Sequence, residues 1–272
     1  MYSLNDPLII HQLKEKAKTG VSVTVIHDPD TPQYGFRKLG EPIKRIARSS
    51  KGLAHQKILI IDQKNIWIGS ANLTSESLRL HDNLVVGLQS SKFAKAILEM
   101  PAPHLKPFLV GGQQLEYWVL PDEGKDALQR ILVLLQSAQK TIRVAMYTWT
   151  HPLLTAAIIQ AHQRHVDVEV VLDGGQALGV CLKTLQALQT AGVQTKVNRG
   201  PGLLHHKFAY IDDSILISGS TNWTKAAFAK NDDCFLIIHG LLPDQKKKME
   251  KLWHVIRATS EEPVSLSELL AA

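Results

Sequence analysis

Two stretches of the chain carry the same reactive side chains at the same spacing. The second stretch has the pattern H-x-K-x4-D, followed by Gly, Ser and Asn, and consists of His205, Lys207, Asp212, Gly219, Ser220 and Asn222. The first lies 150 residues earlier and consists of His55, Lys57, Asp62, Gly69, Ser70 and Asn72. Six matched positions in two copies are not a coincidence, so we interpret them as a duplicated functional motif.

Each copy offers an imidazole and an ammonium group side by side. The apolar runs 58–61 and 208–211 indicate buried strands, and residues two apart along a strand point to the same face. If the copies meet, one histidine, neutral at Nε2, can attack the phosphorus of a phosphodiester while the other protonates the leaving alkoxide. The two lysines, together with Asn72 and Asn222, would hold the non-bridging oxygens. This chemistry predicts a covalent phosphohistidine and retention at phosphorus.

The scheme requires no metal ion and no cofactor. The cationic side chains supply the positive charge, and the sequence lacks the carboxylate cluster that a two-metal nuclease needs. The adjacent pair His205 and His206 could suggest a metal site. Because neighbours in a strand point to opposite faces, we expect His206 to be packed or exposed elsewhere.

Four aspartates are candidates for supporting roles. Asp82 and Asp232 each follow their motif histidine by 27 residues, so they could accept a hydrogen bond from Nδ1 and fix the tautomer. A turn or capping role fits either of them alone, but the matched spacing favours orientation of the histidine. Asp62 and Asp212 end their strands at a turn, where we expect them to brace lysine or backbone groups rather than contact phosphate.

The serines and tryptophans near the motifs allow two interpretations each. Ser70 and Ser220 precede predicted helices at 71–80 and 221–230, so both an N-cap and a phosphate-binding role are plausible. Trp149 and Trp223 could line a lipid or base pocket, although packing in the core is the more common role of a tryptophan.

The duplication extends beyond the motifs. Residues 1–28 align without gaps with residues 146–173. In the second copy the hydrophobic pattern predicts strands at 117–120, 141–147, 166–172 and 234–238, and helices at 126–137, 152–163, 182–190 and 243–257. This alternation predicts an α/β fold with a mostly parallel sheet, and with functional loops at the strand ends.

The chain therefore divides into two domains, 1–105 and 106–272, with a linker rich in proline and glycine at 100–112. The first has no counterpart of segment 117–145. We expect that absence to leave an open strand edge and uncovered apolar surface, and the natural chain to start upstream. The compartment is therefore left open.

Composition limits the partners only broadly. The 272 residues are 44% hydrophobic and 21% charged, as in an ordinary globular protein, and the net charge of +6 favours an anionic partner. Segment 31–50 is predicted as a loop with one short helix. It contains five cationic residues, which are Arg37, Lys38, Lys44, Arg45 and Arg48. These residues could contact an anionic substrate or form a solvated surface. Cys181 and Cys234 lie in apolar surroundings and are expected to be buried thiols.

The paired motif resembles the HKD motif of the phospholipase D superfamily. The resemblance implies two tandem α/β/α sandwich domains related by a pseudo-twofold axis, with one shared site and metal-independent phosphodiester hydrolysis or transphosphatidylation. It also implies His55 as nucleophile and His205 as acid, an assignment that the residues alone leave open. The expected substrate is a phospholipid headgroup, and the expected place of action is an anionic membrane surface. The alternatives are an endonuclease acting on DNA or RNA and a non-catalytic module that binds membrane or nucleic acid.

Overall fold

The computed structural model describes residues 1–99 and 107–263. The domain boundary predicted between residues 105 and 106 lies outside these ranges, as does the end of the chain from residue 264. None of the helices within the described ranges is both long and apolar enough to span a bilayer.

The first half of the chain forms two small sheets. Strands β1 and β2 pair in parallel, while β3, β4 and β5 form an antiparallel sheet in that order. The elements are α1 (Pro7–Lys18), β1 (Thr24–His27), α2 (Tyr34–Arg37), β2 (Lys44–Ala47), β3 (Ile58–Ile61), β4 (Asn65–Gly69), α3 (Ser75–Arg79), β5 (Val85–Gln89) and α4 (Ser91–Leu98). Strand β2 was not predicted, because all four of its residues are exposed and show no apolar alternation.

The second half forms one nine-stranded sheet. Its strand order is β14-β10-β9-β8-β11-β12-β13-β7-β6. The elements are β6 (Phe108–Val110), β7 (Gln113–Val119), α5 (Gly124–Ser137), β8 (Thr141–Met146), α6 (Pro152–Gln163), β9 (Asp167–Asp173), α7 (Gly174–Ala177), α8 (Leu182–Thr190), β10 (Gln194–Asn198), β11 (Lys207–Ile211), β12 (Ile215–Gly219), α9 (Lys225–Ala229), β13 (Cys234–Ile238), α10 (Pro243–Ala258) and β14 (Ser260–Glu261).

The prediction of a mostly parallel sheet is wrong. Only β8, β9 and β10 run parallel, and the other pairings in this sheet are antiparallel. Strand β11 returns directly as β12 through a tight turn at Asp212 and Asp213, both with φ near +50° (51° and 50°). Such a short connection can join only antiparallel strands, and Asp62 and Gln63 make the same turn between β3 and β4.

The duplicated sequence gives duplicated strand register. Ile26 lies opposite Ile46 between β1 and β2, and the matching residues Val171 and Lys196 lie opposite each other between β9 and β10. The same correspondence holds for the hairpin that follows each motif. The α/β class and the internal duplication are therefore confirmed.

Two large apolar cores cover the two faces of the nine-stranded sheet. On one face the sheet packs under α5, α6 and α8, where Trp149 and Trp223 are buried with ring centroids 4.5 Å apart. The packing role predicted for these tryptophans is thus confirmed. On the other face Ile66 and Ile68 of β4 share a core with residues such as Phe208 of β11. The two halves are therefore joined by a common hydrophobic core.

The outer face of the β3–β4–β5 sheet is open among the described residues. Leu59, Ile61, Trp67 and Val85 are each between 38% and 44% exposed. Their counterparts in the second half are buried in the core under α5: Ala209, Ile211, Ile217 and Phe235. Among residues 1–99 and 107–263, β3 has one neighbouring strand, whereas β11 has two. The open edge and apolar surface expected from the sequence are present.

Candidate active site

The two motif histidines lie at the junction between the halves. The backbone N–H of His55 donates to the carbonyl of Asp232 at 2.8 Å, and the N–H of Asp82 donates to the carbonyl of Leu203 at 2.8 Å. Isolated bridges join Ala54 to Asp232 and Asp82 to Leu204. Each motif is thus held by the segment that follows the other motif, in a reciprocal arrangement that brings both copies together.

The motif lysines are buried beside their histidines. Lys57 and Lys207 are each 3% exposed, and each ammonium donates to the backbone carbonyl of its own motif histidine, at 2.6 Å and 2.9 Å. The rings of Tyr2 and Tyr147 lie 5.0 Å and 4.8 Å from the two Nζ atoms. Within the described part of the chain neither ammonium hydrogen-bonds a second acceptor, so its other N–H groups can bind an anion.

Both copies act electrostatically on each imidazole. Burial lowers the pKa of His205 well below its ordinary value, and repulsion from Lys207, Lys57 and His55 lowers it further. Burial and Lys57 also lower the pKa of His55, with opposition from Asp233. Burial lowers the pKa of Lys57 to about 7, again opposed by Asp233. The concentration of positive groups in a buried centre favours binding of an anion there.

The residues that orient the histidines are Asp233 and Asn83. Nδ1 of His55 lies 2.8 Å from Oδ1 of Asp233, and Nδ1 of His205 lies 3.1 Å from Oδ1 of Asn83. The prediction that Asp232 and Asp82 make these contacts is wrong by one residue in both copies.

The error has a simple geometric cause. Successive side chains on an extended segment point to opposite sides, so a shift of one residue changes the face. Asp232 points away from the histidine and pairs with Arg48 at 2.7 Å and Gln56 at 2.5 Å. Asp82 is half-buried beside His81. In each copy two neighbouring polar residues could orient the histidine: Asp82 or Asn83 in the first and Asp232 or Asp233 in the second. The spacing from the motif does not decide between them.

The amide of Asn83 is fixed in one orientation. Its Nδ2 donates to the backbone carbonyls of Ser77 at 2.8 Å and His81 at 3.2 Å, which leaves Oδ1 facing His205. Because Oδ1 can only accept, Nδ1 of His205 carries its hydrogen and Nε2 is left for the substrate. His55 therefore has a carboxylate partner, whereas His205 has a neutral amide. This asymmetry was not visible in the motif.

Ser70 and Ser220 support these orienting residues. Ser220 Oγ donates to Asp233 at 2.6 Å, and Ser70 Oγ donates to Asn83 at 2.8 Å. Both serines are at most 1% exposed, and each also accepts a backbone N–H. The predicted helix-capping role is wrong: α3 and α9 begin at residues 75 and 225, and the side chains that cap them are those of Thr74 and Thr224.

Replacing Ser220 with alanine should weaken both the fold and the site. The change leaves the buried N–H of Cys234 without its acceptor and removes one of the two hydrogen bonds to Oδ1 of Asp233, which we expect to cost about 1–3 kcal/mol in the free energy of unfolding. Urea denaturation measures this loss. Ser137→Ala, which removes a hydroxyl bonded only to the carbonyl of Leu134, is the matched control. Equal stability of the two variants would contradict the proposed support.

The remaining motif residues separate into two groups. The Oδ1 atoms of Asn72 and Asn222 are buried and accept no hydrogen bond among the described residues. Because an amide oxygen only accepts, a contact with a phosphate oxygen would come from Nδ2. Asp212 braces backbone as predicted, since its carboxylate accepts from the N–H groups of residues 139–141. Asp62 makes the same turn but is exposed.

The structure also tests the expectations for His206 and for the two cysteines. His206 is 1% exposed and packs edge-on against Phe208, as expected for a strand neighbour facing away from the site. Cys181 and Cys234 are buried free thiols, as predicted. Within residues 1–99 and 107–263 no three or more His, Cys, Asp or Glu side chains are grouped to hold a metal ion.

Comparison with known proteins supports the family resemblance of the paired motif. The family model described as cardiolipin synthase, PLD-like domain, matches residues 1–100 and 131–254. A mitochondrial cardiolipin hydrolase of Xenopus laevis is 33% identical over 129 residues, which cover 47% of this chain and 61% of that protein. The Xenopus tropicalis protein of the same name is 29% identical over 191 residues, covering 69% of this chain and 89% of that protein.

Solved structures show the same fold. Phosphatidylserine synthase of Haemophilus influenzae aligns with a TM-score of 0.71 at 13% identity, covering 95% of this chain and 79% of that one. Nuc of Salmonella typhimurium, a phospholipase D family member, aligns with a TM-score of 0.52 at 24% identity, covering 56% of this chain and 99% of that one. With the duplicated motif and the family model matching most of its length, the chain belongs to the phospholipase D-like family of phosphodiesterases.

Proposed function

We propose that this chain is a metal-independent phosphodiesterase that acts on phospholipid headgroups through a phosphohistidine. The observation that carries the proposal is the joining of two histidine–lysine pairs at one buried centre, with each imidazole oriented by a residue of the other half. Lys57 and Lys207 bind the non-bridging oxygens of the phosphodiester. In this proposal the Nδ2 groups of Asn72 and Asn222 assist by donating to the same oxygens.

The asymmetry of the orienting residues assigns the roles within this proposal. In the first step the nucleophile becomes a positively charged phosphoimidazolium, while the acid loses its charge by protonating the leaving alkoxide. The carboxylate of Asp233 stabilises a charge that appears on His55, and such an interaction is stronger in the transition state than in the ground state. His55 is therefore the nucleophile and His205 the acid.

The second step reverses the proton transfer at His205. The imidazole, neutral after the first step, accepts a proton from water or an alcohol, which attacks phosphorus and releases His55. Since Asp233 stabilises the phosphohistidine and Asn83 gives His205 no negative partner, the intermediate should accumulate. Hydrolysis and headgroup transfer then compete for the same intermediate, with retention at phosphorus.

A phospholipid substrate is supported by the relatives. The matched family model is described as cardiolipin synthase and two similar proteins are named cardiolipin hydrolases, so cardiolipin and phosphatidylglycerol are the lipids to test first. The net charge of +6 suits an anionic membrane surface. It suits nucleic acid equally, and this keeps a nuclease as the alternative.

The proposal is tested with a substrate panel in the presence of a chelator. Wild type, His55→Ala and His205→Ala are assayed for conversion of cardiolipin to phosphatidate and phosphatidylglycerol, for release of glycerol or choline from other phospholipids, and for cleavage of single-stranded and double-stranded DNA. We expect chelator-resistant lipid turnover that both substitutions abolish. Cleavage of DNA without lipid turnover would replace the proposed substrate, and loss of every activity in chelator would refute the metal-free scheme.

The pH dependence of kcat/KM should depend on the residue that lies against Nδ1 of His205, which is Asn83. Burial and the two lysines lower the pKa of His205, so the protonated acid, and with it kcat/KM, is lost as pH rises through that lowered value. Asn83→Asp places a carboxylate on Nδ1, raises the pKa of His205 and should move the falling limb to higher pH. Asn65→Asp, at the far end of β4, adds the same charge elsewhere as a control. An unmoved limb in Asn83→Asp would contradict the role of His205 as acid.

A further inference from the structure

Neither motif histidine lies within a strand. His55 comes three residues before the start of β3, and His205 comes two residues before the start of β11. A strand ladder fixes only the residues that it contains, so the two imidazoles depend on other contacts of the segments that lead into β3 and β11. We call residues 53–56 and 203–206 the entry segments. The groups that hold the entry segments control the geometry of the reacting nitrogen atoms.

A buried aspartate holds each entry segment. Oδ2 of Asp28 accepts a hydrogen bond from the N–H of Ala54 at 2.6 Å, and Oδ2 of Asp173 accepts one from the N–H of Leu204 at 3.0 Å. The two aspartates occupy matching positions of the duplicated sequence, and they are 2% and 3% exposed. In each half the residue that is held comes directly before the motif histidine.

The other oxygen of each carboxylate binds the chain close to the aspartate itself. Oδ1 of Asp28 accepts from the N–H of Asp30 at 2.8 Å, and Oδ1 of Asp173 accepts from the N–H of Gln176 at 3.0 Å. Asp28 directly follows β1, and Asp173 is the last residue of β9. Each carboxylate therefore connects the carboxyl end of one strand to the entry segment of a motif.

These two contacts require a carboxylate. Among the residues that the structure describes, neither Asp28 nor Asp173 is paired with a cationic side chain, and burial of such a charge is costly. An amide of the same size accepts hydrogen bonds on one side and presents an NH2 group on the other. The carboxylate, unlike the amide, accepts from both segments at once, and both copies of the duplication have it.

Each motif histidine is thus held on both sides of its backbone. The aspartate binds the N–H of the preceding residue, while the ammonium group of Lys57 or Lys207 binds the carbonyl of the histidine, at 2.6 Å and 2.9 Å. In the proposed function the same ammonium groups bind the phosphate. A shift of the entry segment would therefore move the imidazole relative to the phosphorus that it must reach.

We propose that Asp28 and Asp173 are positioning residues for the reaction, Asp28 acting through His55 and Asp173 through His205. The expected rates rest on the proposed function, which makes His55 the nucleophile and His205 the acid. In Asp28→Asn and Asp173→Asn one of the two N–H groups faces an NH2 group instead of an acceptor, so the entry segment moves. A displacement of about 1 Å at a reacting group can reduce the rate on the order of 10²-fold.

A p-nitrophenyl phosphodiester at saturating concentration separates the two variants. Asp28→Asn should slow the burst of p-nitrophenolate by about 10-fold or more, because attack by His55 produces the burst. Asp173→Asn should leave the burst rate within about 2-fold of wild type, because this leaving group needs no proton. The same variant should slow the steady state by about 10-fold or more, because His205 activates the water of the second step.

The control is Glu116→Gln, which changes a buried carboxylate that pairs with Arg130 and His239. It should alter neither rate. Equal losses in burst and steady state for both aspartate variants, or no loss in either, would overturn the proposal. The reverse pattern, with the burst slowed by Asp173→Asn alone, would support the positioning of each histidine and contradict the roles assigned to them under the proposed function.

Hydrogen exchange in the wild-type protein tests the contacts without any substitution. Although Ala54 and Leu204 lie outside every strand, their N–H groups should exchange about 10²-fold or more slowly than in an unfolded chain. In Asp28→Asn this protection should fall at Ala54 alone, and in Asp173→Asn at Leu204 alone. Exchange of both N–H groups at the unfolded rate in wild type would overturn the proposal even if neither variant folds.

Discussion

His55→Ala should reduce kcat/KM by about 10⁵-fold, because removing a covalent nucleophile eliminates the reaction path rather than one interaction along it. His205→Ala should be nearly as damaging with a natural substrate. The two variants should differ with a p-nitrophenyl phosphodiester, whose leaving group needs no proton. His205→Ala should then release one burst of p-nitrophenolate and stall, whereas His55→Ala should give no burst.

The control for this comparison is His11→Ala, which removes an exposed histidine from α1 and should keep wild-type activity. Circular dichroism and thermal unfolding establish that all three variants fold. A burst from His55→Ala and none from His205→Ala would reverse the assigned roles. A burst from neither variant would remove the covalent step altogether.

Asp233→Asn should reduce kcat by about 10³–10⁴-fold, with a small change in KM. The substitution keeps the size of the side chain but removes the negative charge that stabilises a positively charged His55. Both wild type and variant bind the ground-state substrate through the same lysines, so the loss falls on the transition state. Because Ser220 donates to Asp233 Oδ1, an asparagine oxygen can keep that hydrogen bond and the local fold.

The matched comparison is Asp232→Asn, one residue earlier. This change removes an equal charge from the same segment, but the side chain faces Arg48 and Gln56 rather than His55. We expect less than a 10-fold effect on kcat. Equal losses from both substitutions would mean that Asp233 acts through the fold of the segment and not through the charge on His55.

The motif residues could be predicted because strand geometry is local. The spacing of His55 and Lys57, repeated in His205 and Lys207, places each pair on one face of its strand in any fold that contains the strand. The helices at 152–163 and 182–190 and the strand at 234–238 were predicted with their observed bounds. The helices have apolar residues at helical spacing, and the strand is a short continuous apolar run.

The contacts between the halves could not be predicted in the same way. Asn83 and Asp233 reach histidines of the other copy, and which of two neighbouring residues faces inward depends on how the halves dock. Strand β2 escaped prediction because its exposed, charged residues resemble a loop. The parallel sheet was wrong because element order alone does not distinguish the hairpin after each motif from a crossover.

The most direct test of the account is chemical quench of the enzyme during turnover of a phosphate-labelled phosphodiester, followed by mapping of the labelled residue. We predict label on Nε2 of His55, where Asp233 stabilises the phosphoimidazolium. The label should be retained longest in His205→Ala, because that variant lacks the base that activates the water or alcohol for the second step. Label on His205, or turnover with inversion at phosphorus and no labelled protein, would contradict it.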